Sequence, residues 1–256
     1  MKKSLIALAL VGAFAAPAFA EEAAAPASEH TVTGNLGLFS SYRFRGIDQT
    51  FGKPALQGGF DYSHSSGFYV GNWNSNVSQT AGYPDGNLEM DFYAGYKTTF
   101  GDFGLDVGGL YYYYPGSRGQ TLGLNRGAVD NGELYIAGTW KFLTLKYSYA
   151  VTDYFAATDT DGTSYLELNA AYDLGNGWGI NGHVGHLYGR NMPSAADYTD
   201  WKLGVTKDIG GFVFGLSYVD TNADKGFYTS SPAMHSGGET KNLGRGTAVL
   251  SVSKTF

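Results

Sequence analysis

Four sets of residues in this sequence have types and spacings that could do chemistry. His64 and Ser66 stand two apart, with Asn72, Asn74 and Asn76 downstream. A serine becomes a nucleophile when an adjacent base takes its proton and a third group orients that base. A β-turn accounts for the same residues, since Ser-Ser-Gly beside a histidine is ordinary turn chemistry. His183 and His186 are three apart. On a strand they face opposite sides, so they cannot share a metal. Asp153, Asp159 and Asp161, with Thr158 and Thr160, offer oxygens of the kind calcium takes. They lack EF-hand spacing and a supporting glutamate, so a solvated loop is expected and no metal is assigned. Arg43 and Arg45 share a side with Asp61, Glu89 and Asp91 on nearby segments. Rings of fixed charge can filter solutes by sign, and the same charges can equally form salt bridges that only fill space.

Whether any of these groups meet depends on the elements that carry them. From Val32 onward the dominant period is two, the period of strands. Val32, Leu36, Leu38, Tyr42 and Phe44 share one face; Asn35, Ser41, Arg43 and Arg45 share the other. Leu88, Met90, Phe92, Ala94 and Tyr96 likewise oppose Glu89, Asp91, Tyr93 and Lys97. The pattern predicts twelve strands: 32–45, 55–64, 67–76, 88–100, 103–114, 132–140, 143–152, 164–174, 178–188, 198–207, 211–220 and 247–256. In the third, Tyr69 and Trp73 compete with Phe68 and Val70 for the apolar face. Lengths near ten residues suit tilted transmembrane strands. Tight connections such as Ser65-Ser66, Gly101-Asp102 and Lys141-Phe142 alternate with long ones, up to residues 221–246. Outer-membrane barrels show this asymmetry, with short periplasmic turns and longer external loops.

The beginning of the chain reads as an export signal. Lys2 and Lys3 precede an apolar run from Leu5 to Ala16, then Ala18-Phe19-Ala20. That order matches a cleaved secretory leader over residues 1–20. A flexible lead-in rich in Ala, Pro and Glu follows over 21–30, then one barrel domain over 31–256. Two of the 17 basic residues leave with the leader, so 15 remain against 23 acidic ones, a net −8. That balance gives no reason to expect nucleic acid as a partner. The chain contains no cysteine, so the exported fold does not rely on disulfides.

Period two leaves open which face is inside. The polar faces carry Arg43, Asp61, Glu89, Asp91, Lys97, Asp106, Glu133, Lys146, Glu167, Asp173, Asp200 and Lys202, which need water or partners. The apolar faces carry Tyr42, Phe44, Phe100, Tyr113, Trp140, Tyr172, Trp178, Trp201 and Tyr218 at strand ends, as interfacial girdles do. The last segment alternates back from Phe256 through Lys254, Val252, Leu250 and Ala248. A terminal aromatic of this kind resembles the signal read by outer-membrane assembly machinery. Lys254 has outward parity and is expected to snorkel to the periplasmic interface. The fold expected is an all-β transmembrane antiparallel up-and-down barrel of about twelve strands, closed because an open sheet edge cannot survive in lipid.

Several clusters carry a more specific resemblance. They are Ser41-Tyr42-Arg43-Phe44-Arg45-Gly46 with Gln49-Thr50, then Pro54 and Gln57-Gly58-Gly59-Phe60-Asp61-Tyr62. Ser66-Gly67-Phe68-Tyr69 leads into Gly71, Trp73 and Ser75-Asn76-Val77, followed by Glu89, Asp91, Tyr93, Gly95 and Tyr96, and the ending Ser253-Lys254-Thr255-Phe256. With these the chain resembles the TorF-like putative porin family of proteobacteria over most of residues 31–256. The resemblance implies a small outer-membrane channel and assigns no functional residues.

The function expected is passive diffusion of small hydrophilic solutes through a narrow lumen in the bacterial outer membrane, without a cofactor and without catalysis. The candidate lining is Arg43, Arg45, Asp61, Glu89, Asp91, Lys97, Asp106, Glu133, Lys146 and Glu167. Eight acids against five bases on the inward positions, Asp173, Asp200 and Lys202 included, predict mild cation preference. Lys53, Arg118, Arg126, Arg190, Lys225, Lys241 and Arg245 in the loops act against it. Two other readings stand beside the channel. One is a lipid hydrolase using His64 and Ser66, whose His-x-Ser resembles that of outer-membrane phospholipases. The other is a plugged structural or adhesive barrel. The partners expected are membrane lipid, the assembly machinery and small solutes, with a monomer as the default.

Overall fold

The computed structural model describes residues 28–83, 86–118, 127–230 and 239–256. The expected leader, most of the lead-in and Arg126 lie outside them. In chain order the strands are β1 His30–Phe39, β2 Arg43–Phe44, β3 Ile47–Asp48, β4 Ala55–His64, β5 Phe68–Asn76, β6 Leu88–Phe100, β7 Phe103–Tyr113 and β8 Asn131–Trp140. They continue as β9 Leu143–Ala150, β10 Ser164–Gly175, β11 Trp178–Tyr188, β12 Tyr198–Ile209, β13 Phe212–Thr221, β14 Thr229–Ser230, β15 Lys241–Asn242 and β16 Thr247–Thr255. Twelve of these form one closed antiparallel barrel, each pairing with its neighbours in sequence order. The short pairs β2–β3 and β14–β15 stand apart from it.

Closure comes from β1, which pairs β4 on one side and β16 on the other. Leu36 lies opposite Lys254 and Leu38 opposite Val252. Gly34 and Phe256 exchange backbone hydrogen bonds at 2.7 and 2.9 Å. Every barrel strand therefore has partners on both edges, the condition for a sheet in lipid. No helix among the described residues is long and apolar enough to cross a membrane.

The faces are inverted relative to a soluble barrel. Leu36, Phe60, Leu134, Leu145, Leu203 and Leu250 are exposed on the outside. Buried residues inside include Arg43, Asp48, Glu89, Asp91, Glu133 and Asp200. Seven of the nine expected girdle aromatics are exposed: Phe100, Tyr113, Trp140, Tyr172, Trp178, Trp201 and Tyr218. β5 resolves with Phe68 and Val70 outward and Trp73 buried inside. Lys254 lies over the Phe212 ring, 4.4 Å from its centroid, at the short-turn end of the barrel.

The first strand corrects the sequence reading. It ends at Phe39, and residues 40–54 leave the wall. Tyr42 and Phe44 therefore do not face lipid: Tyr42 is buried, and Phe44 packs edge-on against Tyr112 and Phe155. Alternation carried the pattern past the true end because β2 and β3 are themselves extended. The turn between them is Arg45-Gly46, with φ of 47° and 79°. Two consecutive positive φ values make the tight hairpin that matches strand twist, and glycine takes the second without strain.

Inside, tyrosines do much of the filling. Tyr93, Tyr69 and Tyr135 lie directly opposite Gly71, Gly95 and Gly108 on neighbouring strands. A Cβ at any of these glycines would run into the facing ring. Small and large residues thus alternate around the wall, letting each ring lie flat across its neighbour.

Candidate functional site in the barrel lumen

The finger formed by β2 and β3 enters the lumen from the long-loop end and is held by charges. Arg45 at its tip contacts Glu133 on β8 at 2.8 Å and donates to the Tyr154 hydroxyl at 3.0 Å. Its guanidinium sits 4.4 Å from the Tyr165 ring centroid. Gly46 abuts Asp200 on β12 and Thr221 on β13. The finger therefore reaches from β1 to the opposite wall.

Its base is fixed by a second cluster. Arg43 donates to the carbonyls of Leu243 and Arg245 at 3.0 and 3.2 Å, and its guanidinium lies 3.7 Å from Asp48. Asp48 is fully buried and also meets Lys241 at 2.9 Å. Its other oxygen accepts from the Thr50 N–H at 3.1 Å. Tyr42 donates to Glu89 at 2.7 Å, and Tyr114 to the second oxygen of the same carboxylate at 2.9 Å. A buried carboxylate needs such donors, because unpaired charge in a dry interior is costly. Asp91, also buried, has one oxygen without a hydrogen-bond partner.

Midway down the barrel and toward the short turns, the inward groups remain on the wall. Lys97 and Asp106 are register partners with their charges 3.6 Å apart, and Tyr69 donates to Asp106 at 2.7 Å. Lys146 lies opposite Glu167, 4.0 Å away, and 4.5 Å from the Tyr135 ring centroid. Asp61 accepts from Tyr93 and, at 3.5 Å, from Asn35. His183 approaches Asp200 through Nε2 at 2.9 Å and Glu167 through Nδ1 at 3.5 Å. Exposure differs most at Lys97, which is 40% exposed against 2% for Arg43, while Asp106, Lys146 and Glu167 are mostly covered.

All ten candidate lining residues thus point inward, but not as one ring. Arg43 and Arg45 stand on the finger, and Glu89, Asp91 and Glu133 are covered by it. Lys97, Asp106, Lys146, Glu167 and Asp61 stay on the wall. Sequence reading missed the roles of Asp48, Lys241, Tyr154 and Tyr165. The one local signal was Arg-Gly flanked by Phe44 and Ile47, a short hairpin inside what looked like a continuous strand. A cavity of about 220 Å³ remains beside the finger, lined by Phe44, Ile47, Tyr154, Tyr198, Tyr228 and Leu243 among others.

The remaining candidates lie elsewhere. His183 and His186 have opposite parity on β11, and His186 contacts Thr199 at 2.8 Å. Asp161 pairs with Arg190 at 3.1 Å, and Asp153 accepts from the Thr160 N–H at 3.1 Å. His64 and Ser66 meet at 2.6 Å in the exposed β4–β5 turn, and Glu29 lies 3.3 Å from the other ring nitrogen. The Ser66 N–H also contacts His64 Nδ1, at 3.1 Å, so the serine contact is part of a local turn.

The architecture is a twelve-strand closed barrel resembling outer-membrane porins. The KdgM porin shares 9% identity with this chain at a TM-score of 0.51, covering 88% of this chain and 97% of that one. A structure of KdgM porin in complex with disordered oligogalacturonate gives 8% identity and a TM-score of 0.53, with 88% and 98% covered. The NanC porin follows at 9% and 0.49, with 88% and 99% covered. At such identities the likeness is one of fold. No curated protein matches the sequence. The chain belongs to the family described as "Bacterial protein of unknown function (Gcw_chp)", whose model matches residues 23–256.

Proposed function

We propose that this protein is an outer-membrane channel for small hydrophilic solutes, constricted at its external end by the finger of residues 41–50. The observation that carries the reading is the contrast inside one barrel. On one level the wall carries Lys97, which water reaches beside a largely covered Asp106, while the finger occupies the other end. The resemblance to TorF-like putative porins points the same way. Orientation follows from the loops: the long ones face outward and the tight turns face the periplasm. Export through a leader over residues 1–20 and a role for Phe256 in assembly complete the reading.

Ion pairing tempers the expected cation preference. Glu133, Asp106 and Glu167 each face a base, so the surplus of acids is smaller where solutes pass. A plugged structural barrel is the second reading, favoured by the Arg43–Asp48–Lys241 cluster, in which Arg43 and Asp48 are wholly buried. The hydrolase reading is disfavoured, because His64 and Ser66 lie at the short-turn end, away from the outer leaflet. Reconstitution of folded protein in planar bilayers separates the first two. Discrete conductance steps support the channel; their absence, together with no solute uptake into liposomes, supports the plug.

A further inference from the structure

We propose a transition-metal site at the short-turn rim of the barrel, built from Glu29, His30 and His64 and suited to a borderline divalent ion such as Zn2+. It lies apart from the lumen and does not depend on the channel reading. His30 and His64 are direct register partners at the ends of β1 and β4. Residues so paired hold their Cβ atoms ~5 Å apart on one face. Their ring centroids lie 5.1 Å apart. Glu29 precedes the strand, and its carbonyl accepts from the Ser65 N–H at 2.9 Å, which fastens it to the adjacent turn. Its carboxylate reaches His64 Nε2 at 3.3 Å.

One donor atom from each of the three residues lies within 4.8 Å of the other two. Zinc bonds of ~2.0–2.2 Å place tetrahedral ligand atoms ~3.3 Å apart. Rotation of exposed side chains can close the difference without moving the barrel. Two imidazoles and one carboxylate form a known zinc ligand set, with the fourth position left to water.

A hydroxyl stands beside Nδ1 of each ring. Tyr62 hydroxyl lies 2.8 Å from His30 Nδ1, and Ser66 Oγ lies 2.6 Å from His64 Nδ1. Metal-bound histidines commonly donate their second ring N–H to an oxygen, which fixes the ring and tautomer. For His30, Nδ1–H donated to Tyr62 leaves Nε2 with its lone pair. His64 Nδ1 accepts from the Ser66 N–H before an ion binds, so binding through its Nε2 shifts the ring proton to Nδ1 and turns it toward Ser66 Oγ. The ion then sits where His64 Nε2 now meets Glu29. Residues that look like a serine–histidine–acid relay are, on this inference, ligands with their supporting shell. A turn serine two residues from its histidine suits that role without any oxyanion site.

The test uses full-length protein without a histidine tag, folded in detergent and stripped with chelator. Titration with ZnCl2 by calorimetry is expected to show one site per chain, and Co2+ a tetrahedral visible spectrum. His64→Ala and His30→Ala should each abolish both signals. Ser66→Ala should weaken binding by ~10–100-fold, as loss of a supporting partner does. Glu29→Gln lies outside the barrel strands, so it remains informative if a histidine variant fails to fold; it should weaken binding strongly. The proposal is overturned if wild type binds no Zn2+, or if binding survives in the folded His30→Ala/His64→Ala double variant.

Discussion

The two levels of the lumen use the same residue types to different ends. At the long-loop level, Arg43, Arg45, Asp48, Glu89 and Glu133 are buried, and nearly every charged atom has a protein partner. Toward the short turns, Lys97 keeps contact with water, while Asp106, Lys146 and Glu167 are largely covered and pair loosely along the wall, at 3.6 and 4.0 Å. The chain itself makes the difference. Residues 40–54 fold inward and replace water with a second layer of protein. Burial converts weak pairs into obligatory ones, because desolvated charge must be matched. A wet wall charge such as Lys97 contributes little to stability, and in the proposed channel it is a group that solutes would meet.

Removing the finger tests the contrast most directly. Replacement of residues 41–50 by a short Gly-Ser link is expected to raise single-channel conductance severalfold. Unchanged conductance would place the barrier elsewhere in the barrel. Next comes the anchor at the tip. Arg45→Ala leaves Glu133 buried and unpaired, and should destabilise the fold by ~3–5 kcal/mol. An Arg45→Met/Glu133→Leu pair should recover most of that loss in denaturant titrations. If the single variant unfolds like wild type, the tip is wetter than its contacts suggest.

The glycine–tyrosine packing of the wall predicts an intermediate effect. Gly95→Ala forces the Tyr69 ring from its place and should cost ~1–3 kcal/mol, as overpacking does. Tyr69 also holds Asp106, so the same variant should shift ion selectivity; an unchanged reversal potential would separate packing from permeation. Lys97→Ala marks the wet end of the scale. Its stability change should stay below ~1 kcal/mol, while the reversal potential moves toward cations because Asp106 loses its partner. A stability loss as large as that of Arg45→Ala would erase the distinction between the two levels.

Much of this molecule is legible from alternation alone. The segments 55–64, 88–100 and 178–188 coincide with β4, β6 and β11. The two-residue turns and the outward aromatics were readable because each depends on neighbours one or two residues away. The failure at Tyr42 to Arg45 has the same root. Extended backbone alternates whether it lies in the wall or inside it, so periodicity could not mark where β1 ends. Trp73 was ambiguous for a related reason, since a tryptophan suits both a lipid interface and a packed lumen.

Periodicity and turn chemistry determined the barrel, its strand number and its inverted faces, since strand pairing between sequence neighbours is a local matter. Only the tertiary structure decided which inward charges are buried and which stay wet. Arg45 meets Glu133 across 88 residues, and Arg43 meets the carbonyl of Leu243 across 200. Such contacts exist because closure brings remote strands around one lumen and one loop turns into it. The same closure sets His30 against His64. No local pattern encodes these meetings.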